Sequence, residues 1–506
     1  MRAAAALPPA LGFELPARWT PLDYHPVQAA WWATRPDFSI LLKGRQSGGT
    51  ELVKRGGVVE AMGRAYLLAL QAGGHGLSDA ELRQQIRGTV ELLLPGRPPD
   101  SITRADVQAL LLEDYTVKFC APTRDHAKDL YWESIKALVP PALMRGEPSE
   151  SELKVKLRHG PRLQVVGMDK PARAEGGRND LVVLDEFADM KPEVLPATVM
   201  PAVSTRGRLG KVWLVGKSKL GKKHYKAVCD AALAKPGKPW RLFTWPSTDI
   251  WTPEAVERAR GSMSPLEFAC EVMVQWVAAE GRAYYTFDRA VHTRWKLRPL
   301  YAPRAPLLIG LDFNVEPGVA TVAQDIRVPD EWRAEEPKLD EVVTGWIGQV
   351  HIPKASNTPA VCRKLIADWG KHQGEVRVYG DVTGGSRHTS QTQGSDWDLV
   401  RAHLGPVFGD RLRLVLAHVN PPERDRVNAM CCRFRTADER IHALVDPDAC
   451  LALIDDLEAV QLLKGGSGEL DKKSDPGVTH WTDAMGYQEH VRFGVTGAPK
   501  WAEHPL

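Results

Sequence analysis

Two groups of residues in the sequence carry the types and spacings from which phosphate chemistry is built. The first begins with LLKGRQSGGTELVKR, Leu41 to Arg55, where an apolar lead-in runs through a Gly-rich turn into a helix-like stretch. Backbone N–H groups at such a helix start point at an anion, a Ser or Thr hydroxyl holds Mg2+, and a cation neutralises the β- and γ-phosphates. In the pattern G-x-x-x-x-G-K-[ST] the lysine is that cation, yet here Gly48-Gly49-Thr50 closes the turn with Gly49 in the lysine's place. Lys43 falls on the first glycine position, so Lys43 or Arg45 is the candidate for the missing charge and Thr50 for the metal. Further along, LVVLDEFADM ends a buried-type strand in Asp185-Glu186. There the first carboxylate suits Mg2+ held through water, and the second suits polarising an attacking water. Gln28, upstream of the loop, has the paired donor and acceptor that can read an adenine edge. Arg173 and Arg178, in DKPARAEGGRND, can each present a guanidinium to a γ-phosphate, in cis or toward a neighbouring subunit.

The second group is acidic. Asp312 in LLIGLDFN and Asp381 in VRVYGDVTGG each end an apolar strand, and Asp483 in THWTDAMGYQEH opens a helical stretch. Two-metal phosphodiester cleavage needs three or four carboxylates brought to cations ~3.5–4 Å apart. Taken singly, these features have plain structural readings as a tight turn, acids at a helix N-terminus and capping aspartates. Their order along the chain is what favours chemistry.

The elements that must position them follow from periodicity. FSILLKG, YTVKFCAPT, LQVVGMD, NDLVVLDEF and GKVWLVGKS are short apolar runs ending in Gly or a polar residue and separated by helical lengths. That alternation predicts a doubly wound α/β unit with a mainly parallel sheet and functional loops at the strand carboxyl ends. Residues 55–113 interrupt it as a helical excursion. After an aromatic, basic and Pro-broken stretch come PLLIGLDFN, GVATVAQD, EVVTGWIGQVHI, a helix TPAVCRKLIADWGKH and EVRVYGDVTGG. These predict a mixed sheet of ribonuclease-H arrangement. The expected organisation is therefore residues 1–280, a linker 281–304, and a second domain 305–506.

Composition narrows the classes. A chain of 506 residues exceeds what one core fills, since single cores stop growing at roughly 250–300 residues. Charged residues are 25% with a net charge of +3, so any nucleic-acid surface is local rather than global. The basic stretch Ser204 to Lys226 and the Gly/Ser/Thr-rich loop after Asp381, with Arg387 and His388, are candidate phosphate-backbone contacts. The seven cysteines lack C-x-x-C spacing, which argues against a zinc site and for a reducing compartment such as the cytoplasm. No apolar run approaches the ~18 residues of a membrane span, and the N-terminal stretch is broken by Pro8, Pro9 and Pro16.

With phosphate loop, arginine loop and acid pair in this order, the first half resembles the ATPase of the large terminase subunit of tailed double-stranded-DNA bacteriophages. The family's R-Q-x-G-K-[ST] loop is matched by Arg45-Gln46-Ser47-Gly48-Gly49-Thr50 except at the lysine. Family members with the lysine at the start of the loop correspond to Lys43. The second half is similar to the terminase nuclease, with a late H-x-x-D-A-x-x-Y segment matched by His480, Asp483, Ala484 and Tyr487. The resemblance implies a P-loop (RecA/ASCE-like) ATPase domain followed by an RNase H-like nuclease domain. It implies ATP bound with Gln28 at the adenine, Mg2+ at Thr50 and Asp185, catalysis by Glu186, and an arginine finger at Arg173 or Arg178. Asp312, Asp381 and Asp483 become metal ligands for Mg2+ or Mn2+. The implied partners are double-stranded DNA, a portal protein, a small terminase subunit and further copies in a ring, in the host cytoplasm and at the procapsid. The Ser/Thr-Thr-Pro start of the family's coupling motif is missing from GKSKLGKKHY, Gly216 to Tyr225. A repair or restriction helicase-nuclease, and a DNA- or portal-binding protein with a degenerate ATPase loop, are the competing readings.

Overall fold

The computed structural model describes residues 25–73, 77–171, 179–204, 210–219, 222–235, 239–277, 281–313, 317–354, 356–382, 395–417, 419–463, 469–473 and 477–494. The chain forms two compact units, Met1–Trp251 with Cys270–Trp276, and Thr252–Ala269 with Val277–Leu506.

In the first unit the apolar runs become strands because each is buried on both faces. The strands are β1 (Phe38–Lys43), β2 (Thr116–Ala121), β3 (Lys154–Lys156), β4 (Arg162–Gly167), β5 (Leu181–Leu184), β6 (Lys211–Gly216) and β7 (Arg241–Trp245). They lie in the order β3-β4-β2-β5-β6-β1-β7. All pairings are parallel except that of β3 with β4. Alternate strand residues feed two cores. Leu41, Val117, Phe119, Val183 and Trp213 pack on one face, and Ile40, Leu42, Cys120, Val182 and Leu214 on the other. The helix Gly49–Ala72 runs through the first core and is buried along most of its length. Gly57 permits this, since a Cβ there would stand 2.7 Å from the Phe119 ring. Within residues 55–113, beyond the end of that helix, lie two more, Asp79–Leu93 and Arg104–Leu110. Each helix is opened by a capping box, Ser78/Glu81 and Thr103/Asp106, which satisfies orphan amides at both ends of the box.

β3 and β7 are the two strands that periodicity did not indicate. β3 has three residues, and β7 reads RLFTW with alternating burial, so neither forms a continuous apolar run.

The second unit holds β8 (Leu307–Asp312), β9 (Gly318–Arg327), β10 (Leu339–Ile352), β11 (Val376–Gly380), β12 (Leu412–Leu414) and β13 (Ile441–Val445). The order is β12-β11-β8-β9-β10-β13, with β9 antiparallel to both neighbours and the other pairs parallel. Helices Thr358–Trp369 and Asp396–Phe408 cover one face of this sheet. Glu423–Phe434, Leu451–Ala459 and His480–Phe493 cover the other.

The stretch 281–304, expected to link the domains, is built into the second unit. Ala283, Tyr284 and Phe287 are buried in one of its cores and Leu297 in the other. The aromatic, basic and Pro-broken character that suggested a linker conceals these anchors. All seven cysteines are free and buried. Among the described residues no helix is long and apolar enough to cross a membrane.

Candidate functional site

The first site lies at the carboxyl end of β1. Gln46 and Gly48 both take positive φ, 49° and 82°, and the helix starts at Gly49 directly after. That backbone turns the amides of the helix start toward one point, the geometry of an anion cradle. The turn is braced from outside, because the Ser47 carbonyl accepts from Gln28 Nε2 at 2.8 Å and from Trp245 Nε1 at 3.0 Å. The Gln28 amide nitrogen is thus engaged in holding the loop, while its Oε1 is buried with no hydrogen-bond partner among the described residues. The Ser47 hydroxyl donates to Gly44 O at 2.6 Å.

The missing lysine has a stereochemical account. A Cβ on Gly49 would meet Lys43 Cγ at 3.0 Å, Cε at 3.2 Å and Cδ at 3.3 Å, so the Lys43 stem lies across the bare Gly49. Burial lowers the Lys43 pKa from the ordinary lysine value, opposed by the charges of Asp185 and Glu186 and reinforced by Lys217. Arg45 is directed elsewhere. Its Nη1 is 3.4 Å from Glu271 Oε2, a carboxylate that also takes Lys217 Nζ at 2.9 Å. Of the two candidates, Lys43 is the one alongside the loop's acids.

Asp185, fully buried, accepts from Thr50 Oγ1 at 2.6 Å and from the Tyr131 hydroxyl at 2.7 Å on Oδ2, and from the Glu186 amide at 2.8 Å on Oδ1. The hydroxyl and carboxylate that would share a Mg2+ are already side by side, so the donor set fits that ion. Glu186 is held at φ 51°, in left-handed backbone that non-glycine residues rarely adopt. Its carboxylate is a third exposed and stands 3.7 Å from His126 Nδ1.

Tyr131, His126, Glu271 and Lys217 were not indicated by the sequence. Tyr131 sits in a π-helical turn, Lys128–Trp132, a local widening that aims its hydroxyl at Asp185. Arg173 and Arg178 lie outside the described residues, as do residues 205–209 and 220–221 of the basic stretch. Within the described part of that stretch, Lys219 and Lys222 pair with Asp189, and Lys226 with Asp230. The Ser218 hydroxyl donates to Cys270 O at 2.6 Å.

The second site is at the carboxyl ends of β8 and β11. Gly380 pairs with Leu311 in the parallel register, so Asp381 and Asp312 follow at adjacent strand ends. The helix His480–Phe493 is pressed onto β8, for a Cβ on Gly310 would stand 2.4 Å from Ala484 O. This brings His480 Nδ1 to 3.4 Å from Asp312 Oδ2. Burial raises the Asp312 pKa; His480 partly offsets this and the nearby Asp483 adds to it.

Asp381 is clamped by Asn420, whose Nδ2 donates to Asp381 Oδ1 while its Oδ1 accepts from the Val382 amide at 3.0 Å. Asp483 is held by two cations. Its Oδ1 accepts from Arg426 Nη1 at 2.7 Å and its Oδ2 from Lys472 Nζ at 2.9 Å. Among the described residues no group of three or more His, Cys, Asp or Glu is gathered closely enough to hold a metal. The three acids share one end of the unit. Burial raises the Tyr487 pKa, and the charges of Asp381, Asp483 and Asp312 all push it further, which sets this tyrosine within range of each. Arg387 and His388 lie outside the described residues.

The first unit thus has a phosphate-loop fold with an acid pair at the end of β5, two strands from β1, and the second a ribonuclease-H-like sheet with acids at its strand ends. Solved structures with this combination exist. The large terminase of a thermophilic bacteriophage in complex with ATP-gamma-S is 14% identical, the match covering 92% of this chain and 98% of that one, with a TM-score of 0.54. The same phage's large terminase in complex with ADP is 13% identical over 96% and 97%, also at 0.54. A further crystal form of that terminase is 13% identical over 92% and 98%, at 0.55. The chain has the fold of a phage large terminase. No protein-family model matches the sequence, and no curated protein matches it at the sequence level.

Proposed function

We propose that this protein is an ATP-driven motor that moves double-stranded viral DNA into a procapsid and cuts concatemeric DNA with a metal-dependent nuclease. The observation that carries the reading is the first site: a left-handed Gly-rich turn, Lys43 laid across Gly49, and Thr50 bonded to Asp185 at 2.6 Å. ATP binding is supported by the thermophilic phage's large terminase, whose structures in complex with ATP-gamma-S and ADP share this fold.

In this reading the loop amides from Gln46 to Thr50 bind the phosphates and Lys43 supplies the neutralising charge. Arg45 and Ser47 shape the loop, and Thr50 with Asp185 holds Mg2+. Glu186, partly exposed and beside the Asp185 carboxylate, accepts a proton from the attacking water. Gln28 reads the adenine through a side chain that also braces Ser47. Arg173 or Arg178 completes the γ-phosphate site, in cis or from a neighbouring copy in a ring. The degenerate-loop reading loses its main support, because Gly49 makes room for a lysine that comes from the preceding strand.

In the second unit Asp312, Asp381 and Asp483 would hold the divalent cation, Mg2+ or Mn2+, with His480 beside Asp312. A bound divalent cation there would polarise the phosphodiester and lower the pKa of water. The chain's own contribution is orientation: Asn420 fixes Asp381 and His480 fixes Asp312. A portal protein and a small terminase subunit are the assembly partners this function requires, in the host cytoplasm and at the portal vertex.

The test is ATP turnover by the purified chain with double-stranded DNA, comparing wild type with Lys43→Ala. Loss of turnover with retained folding supports the reading. Turnover at the wild-type rate in Lys43→Ala would remove the lysine from the mechanism.

A further inference from the structure

Asp185 is fully buried, and a carboxylate so placed depends on the donors around it. Its Oδ2 accepts from the Thr50 hydroxyl at 2.6 Å and from the Tyr131 hydroxyl at 2.7 Å, and its Oδ1 from the Glu186 amide at 2.8 Å. These donors differ in kind. Thr50 opens the helix of the phosphate loop and Glu186 is the second acid, so each has a task of its own at the nucleotide. Tyr131 comes from a separate element and meets the site only through Asp185.

That element follows β2. The chain is helical from Arg124–Ala127 through the π-helical turn Lys128–Trp132 and on to Glu133–Leu138. On a regular α-helix of 3.6 residues per turn, side chains five residues apart diverge by about 140°. The wider i→i+5 closure of a π turn brings such a pair toward one face. Here the pair is His126, 3.7 Å from Glu186 Oε2, and Tyr131, 2.7 Å from Asp185 Oδ2. A single widened helix thus meets both members of the acid pair.

Tyr131 is itself held in place. It is 0% exposed, and its ring centroid lies 5.0 Å from that of Phe119 on β2, at an interplanar angle of 31°. The same strand fixes the acid's backbone, since the Asp185 amide donates to Cys120 O at 2.9 Å. Backbone and carboxylate of Asp185 are therefore both tied to β2, and the carboxylate cannot turn without breaking its bond to the phenol. A phenol remains a donor at neutral pH.

We propose that Tyr131 is a positioning residue for the metal of the nucleotide site, its hydroxyl holding the Asp185 carboxylate in the orientation that receives Mg2+ together with Thr50. This rests on the motor reading, which puts Mg2+ at Thr50 and Asp185. Removing a hydrogen-bond partner of a metal-binding carboxylate typically costs about 10–100-fold in metal affinity. Tyr131→Phe takes away only the hydroxyl; the ring stays on Phe119, and Asp185 keeps Thr50 and the Glu186 amide, so the variant should fold.

The experiment measures ADP binding to the full chain by calorimetry, in EDTA and then across a Mg2+ series, with steady-state ATP hydrolysis over the same series. In EDTA, Tyr131→Phe should bind ADP as wild type does, because no loop contact has changed. The Mg2+ concentration giving half of the metal-dependent gain in ADP affinity should rise about 10–100-fold. The concentration for half-maximal turnover should rise with it, while kcat at saturating Mg2+ recovers. Asp185→Asn should already lack the gain, and adding Tyr131→Phe should change nothing more, since the tyrosine acts through that acid. Val155→Ala, a cavity in the same core but on β3, should lower thermal stability with the Mg2+ dependence unchanged.

An unshifted Mg2+ series in Tyr131→Phe would overturn the proposal. So would weakened ADP binding in EDTA, which would make Tyr131 a support of the loop, or an equal shift in Val155→Ala. The two ideas stay separable. A wild type whose ADP affinity rises with Mg2+ but which turns over no ATP would sink the motor reading and leave the role of Tyr131 standing. Wild-type turnover with an unshifted Tyr131→Phe would sink the role of Tyr131 alone, and ADP affinity indifferent to Mg2+ in wild type would sink both.

Discussion

The transposed lysine gives the sharpest test of the motor reading, because the geometry specifies both what to remove and where to put it back. In that reading Lys43→Ala deletes one cation that would face the transferring phosphate. Loss of a single preorganised charge or donor of this kind lowers kcat by about 10²–10³, or roughly 2.7–4 kcal/mol of transition-state stabilisation. Folding should be little affected, since Asp185 keeps Thr50, Tyr131 and the Glu186 amide as partners. Gly49→Ala is the subtler probe. Its methyl would crowd the Lys43 stem at 3.0–3.3 Å. The crowding costs about 1 kcal/mol, which the helix preference of Ala over Gly, also about 1 kcal/mol, offsets. Stability should therefore stay within about 1 kcal/mol of wild type while turnover falls, because the displaced stem carries the ammonium out of register. The double variant Lys43→Ala/Gly49→Lys restores a lysine at the usual loop position, into space the first substitution has emptied, and should recover part of the lost rate. The assay is steady-state ATP hydrolysis with double-stranded DNA, alongside thermal unfolding of each variant. A Gly49→Ala enzyme with undiminished kcat would show that the packing of Lys43 on Gly49 is irrelevant to turnover.

Four further outcomes are expected. Because burial lowers the Lys43 pKa below the ordinary lysine value near 10.5, its charge is lost as pH rises through that lowered value. The alkaline limb of kcat should then start below 10.5 and vanish in Lys43→Arg, provided that variant turns over. Glu186→Gln should bind nucleotide normally and lose about 10²–10⁴ in hydrolysis, the range for a removed general base; wild-type turnover would exclude Glu186. Asp381→Ala should abolish DNA cleavage with ATP hydrolysis intact, because the two sites are in different units, and Asn420→Ala should weaken metal binding there by about 10–100-fold. Glu60 is fully buried among Arg35, Arg64 and Lys211, whose charges outweigh desolvation and hold its pKa down to about 2. Its stabilisation should be complete above the unfolded value of 4.5 and be lost as pH falls from there toward 2. Glu60→Gln should cost about 3–5 kcal/mol at neutral pH and show a shallower acid dependence, read by urea unfolding across pH.

Much of the architecture was legible because fully buried parallel strands must be apolar throughout. Five such runs in the first unit, and Asp185-Glu186 and Asp381 at strand ends, could be seen directly. β3, β7, β12 and β13 escaped because short or edge strands bury too little to leave a pattern. The stretch 281–304 escaped because a few anchors, Ala283, Tyr284, Phe287 and Leu297, do the packing among polar neighbours.

What the sequence determined by itself was the inventory and its order: a Gly-rich turn before a helix, an acid pair after a buried strand, and three later aspartates. These are local facts, fixed by residue type and by periods of two and 3.6 residues. Only the tertiary structure set Lys43 within the field of Asp185 and Arg45 against Glu271, far along the chain. It alone supplied Tyr131 and Asn420 as the partners of Asp185 and Asp381. It also showed Asp483 ion-paired with Arg426 and Lys472. Charge pairing in a buried site is set by distances across the fold, and sequence separation carries no record of them.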